Sequence, residues 1–344
     1  MIIVFSNIAF YCFISMINSY PFIRKTYTLL MMTDKHTLTI KHNIKILSWN
    51  IQSSNSTIGN KFEDTDFTDS FLEFDLVCLQ EIRQAVKCPG FRAICSVREG
   101  ERSGGVCILY KNQLAGGVER VKNKTGGLKD IVVCKLKRSF FNFDEDVFIV
   151  NAYVTPQNSS SSNTAIPNGS DTLYQIQNTV NDLQRIGKVV LCGDMNARIG
   201  NHPGILTNET IDDYIPLPVD YKPDTYSTRH SEDTVTNTYG KRFISLVMNT
   251  RLTILNGRTL GDLHGAFTSI QVGGCSVIDY FAISNEIHNC VTSFRVLDFT
   301  QFSDHKPISL ELSCNPLSVK SELQFESLYE SAPTSFKTIN YYQF

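Results

Sequence analysis

The chain has 344 residues, 42% of them hydrophobic, with 32 Lys+Arg set against 34 Asp+Glu. That much apolar sequence excludes a disordered or fibrous protein and is enough for the core of one large domain or two ordinary ones. The balanced charge excludes recognition of nucleic acid through an overall basic field, so any such groove is local.

Residues 1–20, MIIVFSNIAFYCFISMINSY, are apolar enough to imitate a signal peptide or short anchor, yet they lack a basic leading segment and a clear small-residue cleavage site. A signal anchor, an export signal and a gene-model extension all stay open. The extension is preferred, because a domain-like pattern starts only near Ile44. The expected organisation is therefore an N-terminal apolar extension over 1–43, one domain over 44–314 and a polar, aperiodic tail over 315–344.

Short β-branched runs recur along the domain: Ile44 to Trp49, Leu76 to Leu79, Val106 to Tyr110, Ile131 to Leu136, Val147 to Ala152, Val189 to Cys192, Val277 to Ile283 and Pro307 to Leu312. Bounded by turn residues, they read as strands. Between them, Leu173, Ile176, Val180 and Leu183 recur at helical spacing over Thr172 to Ile186, with Asp171 placed to cap. Phe243, Leu246, Val247 and Thr250 repeat the pattern over Arg242 to Leu252. The SSSSNTAIPNGS stretch after Pro156 reads as a surface loop. Residues 201–237, with several Pro and Asp and no sustained period, read as a long loop flanking a site. No internal repeat is visible. The richest basic stretch, Arg120 to Arg138, reads as a solvated hairpin with charged edges in preference to a phosphate-tracking surface.

Cys78, Cys107, Cys134 and Cys192 each lie inside an apolar run, the setting of core-packing thiols in a reducing compartment. The cysteine and histidine spacings support no zinc site.

Four polar patches sit at the ends of expected strands: Trp49-Asn50 in LSWNIQ, Gln80-Glu81 in LVCLQEIR, Asp194 and Asn196 in VVLCGDMNARIG, and Ser303-Asp304-His305 in FSDHKPISLEL. Each alone is weak, since polar residues at strand termini are commonly turn formers. Together they supply carboxylates, carboxamides and an imidazole. That set suits hydrolysis of a phosphate ester with a hard divalent cation, which takes oxygen ligands and engages one or two carboxylates plus substrate phosphate.

The order SWN, LQE, NAYVTP, GDMNA, SVIDY, SDH resembles the endonuclease/exonuclease/phosphatase superfamily over about residues 44–314. Within it, the stretch from Asn237 to Ser284 is most similar to the endonuclease domain of non-LTR retrotransposons and proteins derived from them. The resemblance implies a DNase I-like, four-layer α/β sandwich, in which two packed, mainly antiparallel sheets are flanked by helices and the site lies at one rim. It implies Glu81 as the metal carboxylate, with Asn50 and Asp304 at the metal edge and Mg2+, or Mn2+, as the cofactor. Asp194 becomes the water-activating or water-orienting carboxylate, Asn196 a donor to phosphate, and Tyr153 a donor near the scissile phosphate or leaving oxygen. Asp279 orients His305, which bonds the phosphoryl oxygen in the transition state. Thr268, in the segment Ala266-Phe267-Thr268-Ser269, and Arg102 are the substrate-binding candidates.

The implied activity is a nick in one DNA strand leaving a 5′-phosphate and a 3′-hydroxyl. DNA is the expected partner, with no stable protein partner and no membrane unless the N-terminal segment is a real anchor. The expected location is intracellular, nuclear or cytoplasmic. Two other readings stand beside it: a lipid or inositol phosphatase of the same superfamily, for which Arg229-His230 or Arg98 and Arg102 would have to face the site, and a catalytically silent nucleic-acid-binding module.

Overall fold

A computed structural model describes residues 42–56, 59–98, 104–121, 130–156, 171–205 and 228–314. The expectations for the segment before 42, Arg102, the SSSSNTAIPNGS stretch, most of the 201–237 loop and the tail from 315 fall outside these residues. The chain divides into Met1–Lys41 and His42–Phe344, and only the second part contains described residues. Among them, no helix is long and apolar enough to cross a membrane.

In chain order the strands are β1 (His42–Asn50), β2 (Asn55–Ser56), β3 (Gly59–Asn60), β4 (Leu76–Gln80), β5 (Phe91–Ser96), β6 (Val106–Lys111), β7 (Val118–Arg120) and β8 (Ile131–Leu136). They continue with β9 (Val147–Tyr153), β10 (Lys188–Asp194), β11 (Leu252–Ile254), β12 (Ser269–Gln271), β13 (Gly274–Ser276), β14 (Asp279–Ser284), β15 (Val291–Val296) and β16 (Ile308–Cys314). Twelve form two six-stranded sheets, ordered β15-β16-β1-β4-β6-β5 and β11-β14-β10-β9-β8-β7. The sheets are mainly antiparallel. In each, one central pair runs parallel, β1 with β4 and β10 with β9.

Side-chain alternation along the strands builds the layers. Ile44 and Ile46 of β1, Leu76 and Cys78 of β4, Val147 and Ile149 of β9, Val190 and Cys192 of β10, and Phe281 and Ile283 of β14 meet in one buried cluster between the sheets. The opposite face of the second sheet, through Phe148, Val150, Val189 and Leu191, packs on the helices Thr172–Gln184 and Thr238–Thr250. Both helices are capped as their sequences indicate: Asp171 accepts from the Tyr174 amide and Asn237 from the Gly240 amide. The outer face of the first sheet is covered differently. Leu47, Trp49 and Leu79 pack under Phe67, Phe71 and Phe74, with the five-residue helix Thr65–Asp69 in this layer.

The expected strands and helices form with small shifts at their ends, while four sheet strands carry too little pattern to be read. β5 alternates poorly, since both Arg92 and Ala93 are exposed. β7 and β11 have three residues each. β15 is an edge strand with one fully buried residue, Phe294. The expected second helix extended to Leu252, but Arg251 turns left-handed at φ 52° and ends the helix at Thr250, so Leu252 begins β11.

Candidate active site

The same alternation that fills the core places the site. Continuing the inward-facing parity to the strand ends gives Asn50 at the end of β1, Gln80 at the end of β4, Tyr153 at the end of β9, Asp194 at the end of β10 and Asp279 at the start of β14. The core between the sheets therefore ends, at one rim, in a layer of polar groups. Gln80 and Asn151 lie beneath it and lock the sheets together: Gln80 Nε2 donates to Asn151 Oδ1 at 2.7 Å and to Ser48 Oγ at 3.1 Å. Asn151 Nδ2 in turn donates to the Leu79 and Cys107 carbonyls. These pairings are buried, and unmade they would cost about 1–3 kcal/mol each.

Glu81 breaks parity and should point away from the rim. A left-handed backbone (φ 54°) re-aims it, and Arg83 (φ 60°), Gln52 (φ 54°) and Asn196 (φ 46°) are left-handed in the same neighbourhood. Non-glycine residues in this region are held there against a local cost of about 1–3 kcal/mol. Asn50 anchors the arrangement. Its Nδ2 donates to Glu81 Oε1 at 3.0 Å and to Asp194 Oδ2 at 2.9 Å, while its Oδ1 accepts from the Gln52 amide. Asn196 closes the other side of Asp194, offering its backbone amide at 2.9 Å and its Nδ2 at 3.2 Å, with a second Nδ2 bond to the Val154 carbonyl. Gly193 makes the turn possible: at φ 131° a Cβ would lie 1.9 Å from the Ala152 carbonyl oxygen.

His305 reaches the rim from the loop between β15 and β16. Its Nδ1 lies 2.9 Å from Asp279 Oδ2 and 3.1 Å from Oδ1, which leaves Nε2 directed at the site. Three side chains staple this loop to the end of β1. Trp49 Nε1 donates to the His305 carbonyl, Ser303 Oγ donates to the Asn50 carbonyl, and Lys61 Nζ donates to the carbonyls of Ile51 and Phe302. Asp304 sits beside His305, its Oδ1 buried without a hydrogen-bond partner and 3.7 Å from His305 Nε2.

Charges follow the packing. Burial and the nearby Asp279 push Asp194 up to about 8, against the opposing pull of His305, the Asn196 amide and Asn50. Burial disfavours the charged form of His305, but Asp279, then Asp194 and Asp304, outweigh it and push the imidazole up to about 10. Burial likewise raises Asp304, and Glu81 adds to the effect. Tyr153, buried and hydrogen-bonded to Glu81, is held far above the ordinary phenol range, so it stays a neutral donor.

Eight of the residues singled out by sequence therefore converge: Asn50, Glu81, Tyr153, Asp194, Asn196, Asp279, Asp304 and His305. Thr268 is different. It is fully buried, and its Oγ1 donates to Asp279 Oδ2 at 2.7 Å while accepting the Ile278 and Asp279 amides. Substrate cannot reach it, so the expected contact is corrected to a brace behind Asp279. Arg98 and Arg229 are both committed to partners within the fold. Arg98 is buried against Asp130 and Thr155, and Arg229 is bound to the carbonyls of Asn256, Gly200 and His202. Among the described residues of the basic stretch, Lys135 and Lys137 pair with Glu119. The sequence reading passed over Lys61 and Asn151, and it gave Ser303 no role of its own. Asn151 carried a signal, as the one polar residue inside VFIVNAY.

Two packed six-stranded sheets flanked by helices, with a carboxylate-rich rim at one end, form a DNase I-like α/β sandwich. The sequence matches the endonuclease/exonuclease/phosphatase family over residues 47–305, and the chain belongs to that family. No curated protein matches it by sequence. Solved structures match in fold. The AP endonuclease LMAP from Leishmania major is 14% identical, with a TM-score of 0.57 over 79% of this chain and 88% of that one. The endonuclease domain of TRAS1, a telomere-specific non-LTR retrotransposon, is 14% identical, with a TM-score of 0.51 over 79% and 98%. The 3′ phosphatase NExo from Neisseria, bound to a product DNA hairpin, is 16% identical, with a TM-score of 0.51 over 78% and 99%.

Proposed function

We propose that the protein is a divalent-metal-dependent DNA endonuclease of retrotransposon type, nicking one strand to leave a 3′-hydroxyl and a 5′-phosphate. The carrying observation is that Asn50 joins two edges of one rim, an acidic edge at Glu81 and an Asp194–Asn196–His305 edge. The acidic edge fits a hard cation. Asp304 Oδ1 is buried with no hydrogen-bond partner, Glu81 raises its proton affinity, and both carboxylates offer the oxygen ligands such an ion takes. Asp194, Asp279 and His305 also place ligand atoms within 4.8 Å of one another. However, Asp279 spends both oxygens on His305 and Thr268, and a protonated imidazole is not a ligand. Glu81 and Asp304, supported by Asn50, are therefore the residues assigned to Mg2+ or Mn2+.

A bound cation would supply charge neutralisation of the scissile phosphate. The chain's own groups do the rest. Asp194 orients the attacking water and, in its ionised form, takes up the water's proton, Asn196 and the imidazolium of His305 donate to the phosphoryl oxygens as charge builds, and Tyr153 donates near the leaving oxygen. Asp279, braced by Thr268, fixes the His305 ring so that Nε2 faces the phosphate.

DNA is favoured over a lipid or inositol phosphate because Arg98 and Arg229 are committed internally. The hairpin β12–β13 adds support. Its base is tied to the active loop, through the Ile270 amide to the Asp304 carbonyl and a bridge from Ser269 to His305. Its tip presents a fully exposed Val272, an apolar wedge suited to a DNA groove. The likeness to the TRAS1 domain supports the retrotransposon assignment. The test is conversion of supercoiled plasmid to open circles with Mg2+ and with EDTA, alongside Asp194→Ala and His305→Ala. Metal-dependent nicking lost in both variants supports the reading. No nicking by folded protein whose melting temperature still rises with Mg2+ overturns it in favour of a small phosphorylated substrate.

A further inference from the structure

Cys95 and Cys107 lie directly opposite each other on the antiparallel pair β5 and β6, with their Sγ atoms 2.7 Å apart. Directly opposed residues in such a ladder have Cα separations of about 4.5–5.5 Å, inside the range that a disulfide bridges without backbone movement. The two side chains lie on the outer face of the first sheet, against the segment holding Val86 and Cys88, while the Cys107 carbonyl on the inner side accepts from Asn151 beneath the rim. Cys107 is buried and Cys95 is partly exposed on the edge strand. The Cys107 thiol, then the Val86 amide and Arg120, favour the thiolate of Cys95 against its partial burial, while burial disfavours that of Cys107. The other close cysteines are unlike this pair. Cys78, Cys134 and Cys192 are all buried between the sheets, where no reagent reaches them. Cys275 is exposed, on the β13 side of the distant hairpin.

We propose that Cys95 and Cys107 form a reversible thiol–disulfide site, with Cys95 the attacking thiol and Cys107 the resolving one, and with a small-molecule disulfide such as oxidised glutathione as the oxidant. The Cys95 thiolate attacks one glutathione sulfur and releases one glutathione thiolate, which takes up the proton Cys95 gave up. Cys107 then loses its proton, attacks the Cys95 sulfur and releases the second glutathione. Two protein thiols are oxidised and one glutathione disulfide is reduced to two thiols, with no adduct left behind. The product ties the outermost strand of the first sheet covalently to its neighbour. Sheet edges open readily, and the bond would act at that point.

The experiment incubates the folded full-length chain with oxidised glutathione at neutral pH, quenches free thiols by alkylation, and maps peptides without reduction. The expected result is a cross-linked Cys95–Cys107 peptide lacking two hydrogens, restored by dithiothreitol, while Cys275 carries only a glutathione adduct. In Cys107→Ser the Cys95 adduct should persist, and in Cys95→Ser Cys107 should stay unmodified. A wild-type chain in which Cys95 keeps glutathione without closing on Cys107, or in which Cys275 reacts and neither Cys95 nor Cys107 does, overturns the proposal. The Cys95→Ser variant keeps the test decisive if Cys107→Ser fails to fold.

Discussion

Asn50 Nδ2 reaches Asp194 Oδ2 at 2.9 Å across the seam between the two sheets, so the last inward position of one sheet holds the last inward position of the other. The same nitrogen holds Glu81. Replacing Asn50 with Ala should release both carboxylates at once. Activity or metal affinity is expected to fall by about 10- to 100-fold, as for other groups that orient metal-site carboxylates. Nicking rate against metal concentration checks this. An unchanged metal dependence would show that Asn50 does not connect the two edges.

Removal of the cation should be readable without substrate. With Glu81 and Asp304 as its ligands, saturating Mg2+ or Mn2+ binds the folded state and raises the melting temperature by mass action, and EDTA reverses the rise. Glu81→Gln should abolish the shift, whereas Asp279→Asn should leave it largely in place. The reverse pattern would move the ion to the Asp194–Asp279–His305 cluster.

Stability of the metal-free protein should fall steadily as pH rises. Asp194 keeps its proton in the folded state up to about 8 but loses it near 3.8 when unfolded, so it lowers stability progressively between those values. His305 stays protonated to about 10 when folded and to 6.5 when unfolded, so its stabilisation is complete below 6.5 and lost as pH climbs toward 10. The two belong to one coupled cluster and titrate together. Asp194→Asn should flatten the slope between about pH 4 and 6.5 in thermal melts with EDTA; a slope identical to wild type would contradict the assignment.

Thr268→Val preserves shape and deletes the hydroxyl that meets Asp279 and two buried amides. The expected destabilisation is about 1–3 kcal/mol. In addition, the alkaline limb of the activity profile should shift to lower pH, because a loosened Asp279 holds the His305 proton less well. Thr268→Ser should restore both. Loss of stability with an unmoved pH profile would reduce Thr268 to a packing residue.

Gly193→Ala should be among the most damaging single changes, at about 4 kcal/mol or more, since its Cβ collides with backbone and its φ is left-handed. Chemical denaturation measures it directly. A milder effect would mean that β9 and β10 separate more easily than their parallel pairing suggests.

Much of this architecture was legible in the sequence because it depends on local alternation. Runs such as Ile131 to Leu136 and Val147 to Ala152 face core on both sides and read as strands without help. Asn50, Tyr153, Asp194 and Asp279 were legible because they sit at the ends of strands with such alternation. What escaped depends on distance. Lys61 and Ser303 act on backbone carbonyls far along the chain, and nothing in KFEDT or FSDH announces a carbonyl partner. Thr268 could be placed in its segment but not by depth, because burial at that position is set by the docking of the hairpin on the His305 loop. Glu81 was assigned through resemblance; its redirection by a left-handed backbone is a tertiary effect that side-chain pattern does not encode.

The Gln80–Asn151 pairing under the rim has a consequence for how the protein comes into being. Neither sheet owns a complete set of reacting groups: Asn50 and Glu81 arrive early in the chain, Tyr153 and Asp194 midway, and Asp279, Asp304 and His305 near the end. The first sheet is itself built from both ends of the chain, with β15 and β16 beside β1, so the rim's groups come together only after the last strands have joined the first and the carboxamides beneath the site have engaged.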